Sequence, residues 1–199
     1  TNMTVTIRKA QEKDRERIAH ISAESFKEDF AVLTRNLSKV KEILVHDMNL
    51  QQFYVAETDG EVVGNLALTN NTTRAFSICS RHMIDLLGLV RGGIGSLFLK
   101  KMFSEPLRVP DEIGYFEFVA VDASARRQGI ASKMIQSAAA MTAYPQYMLD
   151  TDFDNAAAIR VYRKLGFQEI AHGREWFRII FGFSRRIFLQ ASRESLTDH

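Results

Sequence analysis

The stretch that decides the fold is Phe116-Glu117-Phe118-Val119-Ala120-Val121-Asp122, which is soon followed by Arg126-Arg127-Gln128-Gly129-Ile130-Ala131. The first segment is an almost wholly apolar strand, and the second opens a helix. A helix N-terminus exposes unpaired N–H groups and the positive end of the helix dipole, so it binds phosphate readily. Gly129 and Ala131 let the backbone approach an anion closely, and Arg126 and Arg127 add charge. The turn is a candidate pyrophosphate site, although an ordinary turn with solvated arginines fits the same residues.

A second stretch further along the chain completes the pattern. Tyr147–Phe153 is of strand type, and Asn155 begins a short helix that ends at Gly166. Together the two stretches resemble the GNAT superfamily of acyl-CoA-dependent N-acetyltransferases. Arg126-x-x-Gly129-x-Ala131 matches the Arg/Gln-x-x-Gly-x-Gly/Ala motif of that family. The residues that match its second motif are Asn155, Tyr162, Gly166 and Phe167.

The resemblance implies how acetyl-CoA would bind as a co-substrate. The strand backbone, mainly at Val119 and Val121, would pair with the pantetheine arm, and Asn155 would hydrogen-bond the same arm. Backbone amides and side chains of the basic turn would hold the pyrophosphate. The residues of this turn are Arg126, Arg127, Gln128, Gly129, Ile130, Ala131 and Ser132.

The resemblance also implies that Tyr162 lies near the thioester sulfur and acts as a general acid. The alternative is a half-buried core tyrosine, because Ala158, Ile159 and Leu165 share its helix face. The motif favours the catalytic role.

Acetyl transfer to an amine also needs a base, because alkyl amines are mostly protonated at pH 7. Glu117 is the first candidate, since burial in an apolar strand should raise the pKa of its carboxyl. The alternative for Glu117 is an ion pair with an arginine. Asp150 and Asp152 follow, on a strand that flanks the acyl site in this fold, although a solvated strand end also explains them.

The order of elements predicts an α+β fold. A strand at Thr4–Arg8 is followed by two helices, a hairpin through Asp59-Gly60, an irregular segment and strand–helix–strand–helix–strands. With the resemblance, this becomes a GNAT-like fold. We expect a mixed, mostly antiparallel twisted sheet of about six or seven strands, flanked by helices, with a helical insertion between the third and fourth strands.

The domain organisation is expected to be simple. Residues 1–190 should form one domain, and residues 191–199 a flexible tail. The resemblance is weakest over 74–110, which we interpret as an insertion that covers the acceptor site. Within it, Arg91–Gly95 looks like a flexible joint.

Composition excludes several other classes. The chain has 199 residues, 46% of them hydrophobic and 25% charged, with a net charge of +2, which is too little to indicate nucleic acid. Its apolar stretches are shorter than the roughly 18 residues of a membrane span, and no signal-peptide pattern opens it. A single cysteine, Cys79, and histidines without ligand spacing argue against a disulfide and a metal site. We therefore expect a cytoplasmic protein without a metal.

The sequence thus predicts an N-acetyltransferase that moves an acetyl group from acetyl-CoA to a primary amine by direct attack. The main alternative is a non-catalytic acyl-CoA-binding regulatory domain with the same fold, and a nucleotide-binding module would need only the basic turn. The acceptor can be a small-molecule amine or the amino group of a peptide or protein. The protein can be a monomer or a homodimer, and an aromatic cluster between Trp176 and Phe188 would serve as core or as a dimer contact.

Overall fold

The computed structural model describes residues 4–105, 107, 109–172 and 186–197. Its strands are β1 (Val5–Lys9), β2 (Phe53–Thr58), β3 (Glu61–Thr69), β4 (Ile113–Val121), β5 (Gln146–Asp152), β6 (Gln168–His172) and β7 (Arg186–Ser192). They form one seven-stranded sheet in the order β1-β2-β3-β4-β5-β7-β6. Only the β4–β5 pair is parallel. The predicted mixed, mostly antiparallel sheet is confirmed.

The helices of the described residues flank this sheet. They are α1 (Arg15–Ser25), α2 (Lys27–Phe30), α3 (Leu37–Asp47), α4 (Ser80–Leu87), α5 (Leu89–Leu99), α6 (Ile130–Ala140), α7 (Ala156–Lys164) and α8 (Arg193–Thr197). A π-helical turn at Lys100–Ser104 continues α5. None of these helices is long and apolar enough to cross a membrane. Because α4 and α5 lie between β3 and β4, the predicted position of a helical insertion is confirmed.

Two hydrophobic cores lie on the two faces of the sheet, as the alternation of side chains along a strand requires. Helices α1, α3, α4 and α5 pack on one face, against residues such as Phe53 and Ala67. Helices α6, α7 and α8 pack on the other face, against residues such as Tyr54 and Leu66. The described residues of β5, β6 and β7 contribute nothing to the first core. On this face, β5, β6 and β7 can therefore carry polar side chains.

The C-terminal segment differs from the expected flexible tail. Strand β7 continues to Ser192, and 193–197 form α8, in which Leu196 is 1% exposed. The segment is polar in composition, but Ala191 and Leu196 are buried in the second core. The aromatic cluster from Trp176 to Phe183 lies outside the described residues.

The expected joint at Arg91–Gly95 also differs from the structure, because these residues lie inside α5. The chain instead turns at Gly88, where φ is +86°. A Cβ at Gly92 would overlap the backbone of Met83, so this glycine is needed for the close packing of α5 on α4. A cover over the acceptor site stays a prediction for this insertion.

Candidate active site

Strands β4 and β5 separate halfway along their length. Their parallel pairing joins Ile113–Phe116 to Gln146–Leu149 and stops there. Beyond this point β4 pairs only with β3, and β5 only with β7, among the strands described. An unpaired strand edge presents backbone N–H and C=O groups to a ligand. The predicted cofactor contacts Val119 and Val121 lie on this edge and are half-buried.

A bulge in β4 lies inside this cleft. The register shifts between Asn65 and Ala67 of β3, so that two β4 residues, Phe118 and Val119, face a single residue. The φ angle of Phe118 is +52°, a left-handed conformation that costs a bulky residue about 1–3 kcal/mol. Sequence analysis missed this bulge, because no glycine or proline marks it. Bulges of this kind redirect backbone groups next to active sites.

The basic turn has the geometry that an anion site needs. Gly129 has a φ of +75° and precedes the first residue of α6, so it allows the sharp entry into this helix. A Cβ at Gly129 would meet no atom within 4 Å, so the space before the helix N-terminus is open. Arg126 and Arg127 are exposed there, and Arg126 Nε donates to the Val121 carbonyl at 3.0 Å. The turn therefore fits a pyrophosphate. Its remaining predicted contacts are Gln128, Ile130, Ala131 and Ser132.

Asn155 begins α7 as its N-cap residue. Its side-chain oxygen accepts a hydrogen bond from the Ala158 N–H at 3.1 Å, and the residue is exposed. Capping uses the oxygen only, so the amide N–H groups can still reach a ligand. The predicted cofactor contact and the cap are compatible.

Tyr162 lies on α7 in the second core and is 8% exposed. Burial raises the pKa of Tyr162 to about 12, with the charge of Asp150 adding to this effect and that of Arg186 opposing it. Its ring packs edge-on against Phe167, with the centroids 6.0 Å apart. The phenol is both a core residue and a protonated hydroxyl within the field of Asp150.

Glu117 forms a buried ion pair with Arg74, so its side chain is not a free base. Arg74 Nη2 lies 2.5 Å from Glu117 Oε1, and Nε lies 3.2 Å from Oε2. The Thr69 hydroxyl donates to Oε2 at 2.8 Å. The side chains of Arg74 and Glu117 are 6% and 9% exposed. Sequence analysis gave an ion pair with an arginine as the alternative role of Glu117, and the structure shows this pair.

Arg74 also binds the end of the helical insertion. Its Nη2 donates to the Met102 carbonyl at 2.8 Å, and its Nη1 donates to the Glu105 carbonyl. One guanidinium therefore joins β4 to the π-helical turn that follows α5.

Asp150 lies on the β5 side of the cleft and accepts two hydrogen bonds. The Tyr115 hydroxyl donates to Oδ1 at 2.7 Å, and Arg186 Nε donates to Oδ2. Burial raises the pKa of Tyr115 well above its ordinary value, and the charge of Asp150 adds to this effect. Burial lowers the pKa of the Arg186 guanidinium, but the charges of Asp150 and Asp152 raise it by more. The pKa of Arg186 therefore stays above its ordinary value. The side chain of Asp150 is 21% exposed.

Asp29 is a further acidic residue of this region, which sequence analysis missed. Burial raises the pKa of Asp29, the charge of Asp152 adds to this effect, and Arg186 opposes it. Phe26, three residues earlier, packs edge-on against Phe118 with ring centroids 5.3 Å apart, so α2 lies over the bulge. In the sequence, Asp29 belongs to a short charged run that is typical of a solvated helix face.

No group of three His, Cys, Asp or Glu side chains in the described ranges is arranged to hold a metal ion. Cys79 is a free, half-buried cysteine in the insertion. The cleft between β4 and β5, the basic turn and Tyr162 together fit an acyl-CoA-dependent transferase.

Comparison with protein families gives the same class. The acetyltransferase (GNAT) family model matches residues 15–167. The chain therefore belongs to the GNAT family of acetyltransferases, which transfer an acetyl group from acetyl-CoA. No curated protein matches the chain.

Solved structures share the fold at low sequence identity. An N-acetyltransferase from Staphylococcus aureus Mu50 has 22% identity and a TM-score of 0.62, over 94% of this chain and 100% of that one. Ard1 from Thermoplasma volcanium has 19% identity and a TM-score of 0.58, over 94% and 97%. The yncA protein of Salmonella typhimurium, solved with its cofactor acetyl-CoA, has 18% identity and a TM-score of 0.58, over 98% and 95%. These likenesses establish the fold alone.

Proposed function

We propose that this protein is an N-acetyltransferase that moves an acetyl group from acetyl-CoA to a primary amine by direct attack. The observation that carries the proposal is the cleft where β4 and β5 separate, because Asp150 lies on its β5 side and the charge of Asp150 adds to burial in raising the pKa of the Tyr162 phenol. A proton donor and a carboxylate at one cleft suit a reaction that moves one proton off the amine and another onto the leaving thiolate.

Three parts of the chain would hold acetyl-CoA, which supplies the acetyl group as a thioester. The free edge of β4 at Val119 and Val121 offers backbone groups to the pantetheine arm, and Asn155 offers its amide. The open N-terminus of α6 at Gly129 offers N–H groups and its dipole to the pyrophosphate.

We assign the base to Asp150 rather than to Glu117. Both oxygens of Glu117 are held by Arg74 and Thr69 in a site that is 9% exposed, which leaves little room for an amine or a water molecule. Asp150 is also paired with an arginine and a hydroxyl, Arg186 and Tyr115, but its side chain is 21% exposed, so an amine or a water molecule can reach it. It would accept the proton from the amine, through water where the two do not touch.

Tyr162 would donate its proton to the leaving thiolate. With its pKa raised to about 12, the phenol is protonated near pH 7. Direct attack needs no covalent enzyme intermediate, and Cys79 lies in the insertion, outside both motifs. We further propose a cytoplasmic enzyme whose acceptor is a small-molecule amine or a peptide or protein amino group, with no metal or nucleic acid.

A thiol-release assay with acetyl-CoA over a panel of amines tests this function. The panel should include a diamine, free amino acids and peptides with a free N-terminus or lysine. Release that depends on one amine class supports the proposal. Acetyl-CoA binding without release for any amine would instead support the regulatory acyl-CoA-binding domain.

A further inference from the structure

Asn65 is a fully buried amide beside the bulge of β4. The residue has no exposed surface, and its Nδ2 group donates to the Phe118 carbonyl at 3.0 Å and to the Ser22 hydroxyl at 3.1 Å. A carbonyl oxygen can only accept, so this contact fixes which end of the amide faces Phe118. The other end, Oδ1, is buried and has no partner among the described residues.

An amide with an unpaired oxygen is an unfavourable choice for a packed interior. A leucine of similar size would fill the same space and leave no polar atom without a partner. Such a group in a native structure requires a reason besides packing. The bond to Phe118 supplies that reason, because it holds the carbonyl of the residue whose φ is +52°.

Fixing this carbonyl also fixes the next N–H. No peptide bond of the described chain is cis, and in a trans peptide the C=O and the following N–H point in opposite directions. Because the Phe118 carbonyl points toward Asn65, the N–H of Val119 points away from Asn65. Val119 lies on β4 beyond its last pair with β5, where the strand edge is free.

We propose that Asn65 is a positioning residue that orients the Phe118–Val119 peptide, so that the Val119 N–H donates to the thioester carbonyl oxygen. This inference rests on the proposed function. Negative charge develops on that oxygen as the amine attacks, and one preorganised donor aimed at such an oxygen contributes about 10²–10³-fold in rate. The strained backbone at Phe118 and the buried amide of Asn65 would then both serve to aim the Val119 N–H at this oxygen.

The test compares Asn65→Leu with Ser22→Ala. The first variant removes the donor to Phe118, whereas the second removes the other partner of the same amide and leaves the Phe118 bond in place. Circular dichroism and thermal unfolding first establish that each variant folds. If Asn65→Leu does not fold, Asn65→Ala removes the same donor with a smaller side chain and takes its place.

Two measurements follow on each folded variant. The first is the amide resonance of Val119 in the ¹⁵N-labelled protein without ligand, which reports the orientation of this peptide independently of turnover. The second is steady-state kinetics with acetyl-CoA and the amine that the panel identifies. We expect Asn65→Leu to shift the Val119 resonance and to lower kcat about 10²–10³-fold with KM for acetyl-CoA nearly unchanged. We expect Ser22→Ala to leave both close to wild type.

Three results would overturn the inference. They are an unchanged Val119 resonance in Asn65→Leu, a KM for acetyl-CoA that rises as much as kcat falls, or an equal loss of kcat in Ser22→Ala. Failure of the proposed function is recognised separately, because wild-type protein would then release no thiol from acetyl-CoA with any amine of the panel. The resonance of Val119 still decides the orientation of the peptide in that case.

Discussion

Removing Arg74 alone should strongly destabilise the fold, because it would leave the Glu117 carboxylate buried without its partner. Breaking a buried ion pair from one side costs about 3–5 kcal/mol. For a chain of 199 residues, each kcal/mol corresponds to a shift in Tm of about 2–4 °C. We therefore expect Arg74→Met to lower Tm by about 6–20 °C. The loss of the bonds to Met102 and Glu105 should loosen the end of the insertion as well.

The double variant Arg74→Met/Glu117→Leu should recover most of this stability. Replacing both partners with apolar side chains of similar volume removes the uncompensated charge and is often neutral. The free energy of unfolding in urea, measured for wild type, both single variants and the double variant, gives the coupling energy of the pair. We expect the single effects to be strongly non-additive. Additive losses would refute the argument that these two side chains compensate each other.

The same variants decide the role of Glu117. If Glu117 serves only to compensate the charge of Arg74, the double variant should regain activity together with stability. If Glu117 is the base, the double variant should stay about 10²–10⁴-fold slower than wild type although it is stable. Thiol release at a temperature at which both proteins are folded separates the two outcomes.

Three further predictions concern other parts of the molecule. Tyr162→Phe deletes one hydroxyl and keeps the ring packed on Phe167, so kcat should fall about 10²–10⁴-fold with intact folding and acetyl-CoA affinity; full activity would make Tyr162 a core residue only. Gly129→Glu should abolish the stabilisation by acetyl-CoA, about 2.7 kcal/mol at 100 times Kd, and Gly129→Asn, which tolerates the same φ, is the control in thermal shift. The hydrogen bond from Arg8 lowers the pKa of the Asp14 carboxyl, so its stabilisation is complete above about pH 4 and is lost as pH falls through the lowered pKa. Acid titration of unfolding should be flatter in Asp14→Asn; an identical acid limb would contradict this assignment.

The parts of the fold that the sequence predicts are those with a local physical signal. Asp59-Gly60 forms the hairpin between β2 and β3 with φ angles of +52° and +81°. The basic turn leads into α6, and α7 follows directly after Asn155, as predicted. Each of these features depends on residues within a few positions of one another, so composition and spacing reveal it.

The parts that the sequence does not predict depend on distant partners. The Arg74–Glu117 pair joins residues 43 positions apart, and neither residue type identifies the other in advance. In the bulge, the Phe118 carbonyl accepts a hydrogen bond from Asn65 on another strand, 53 positions away. Three glycines between Arg91 and Gly95 predict flexibility by composition, whereas tertiary packing against Met83 and Leu33 makes them a helix.

Side-chain contacts, rather than backbone hydrogen bonds, cross between β4 and β5 at the cleft. Beyond Phe116 no ladder of backbone hydrogen bonds fixes the distance between β4 and β5. The hydrogen bond from Tyr115 to Asp150 crosses between the two strands, next to the last backbone pair. On each side of the cleft an arginine then holds a carboxylate: Arg74 pairs with Glu117 of β4, and Arg186 pairs with Asp150 of β5. A substitution of Arg186 should therefore alter the position of Asp150 in the cleft even though this arginine is not proposed to touch the acetyl group.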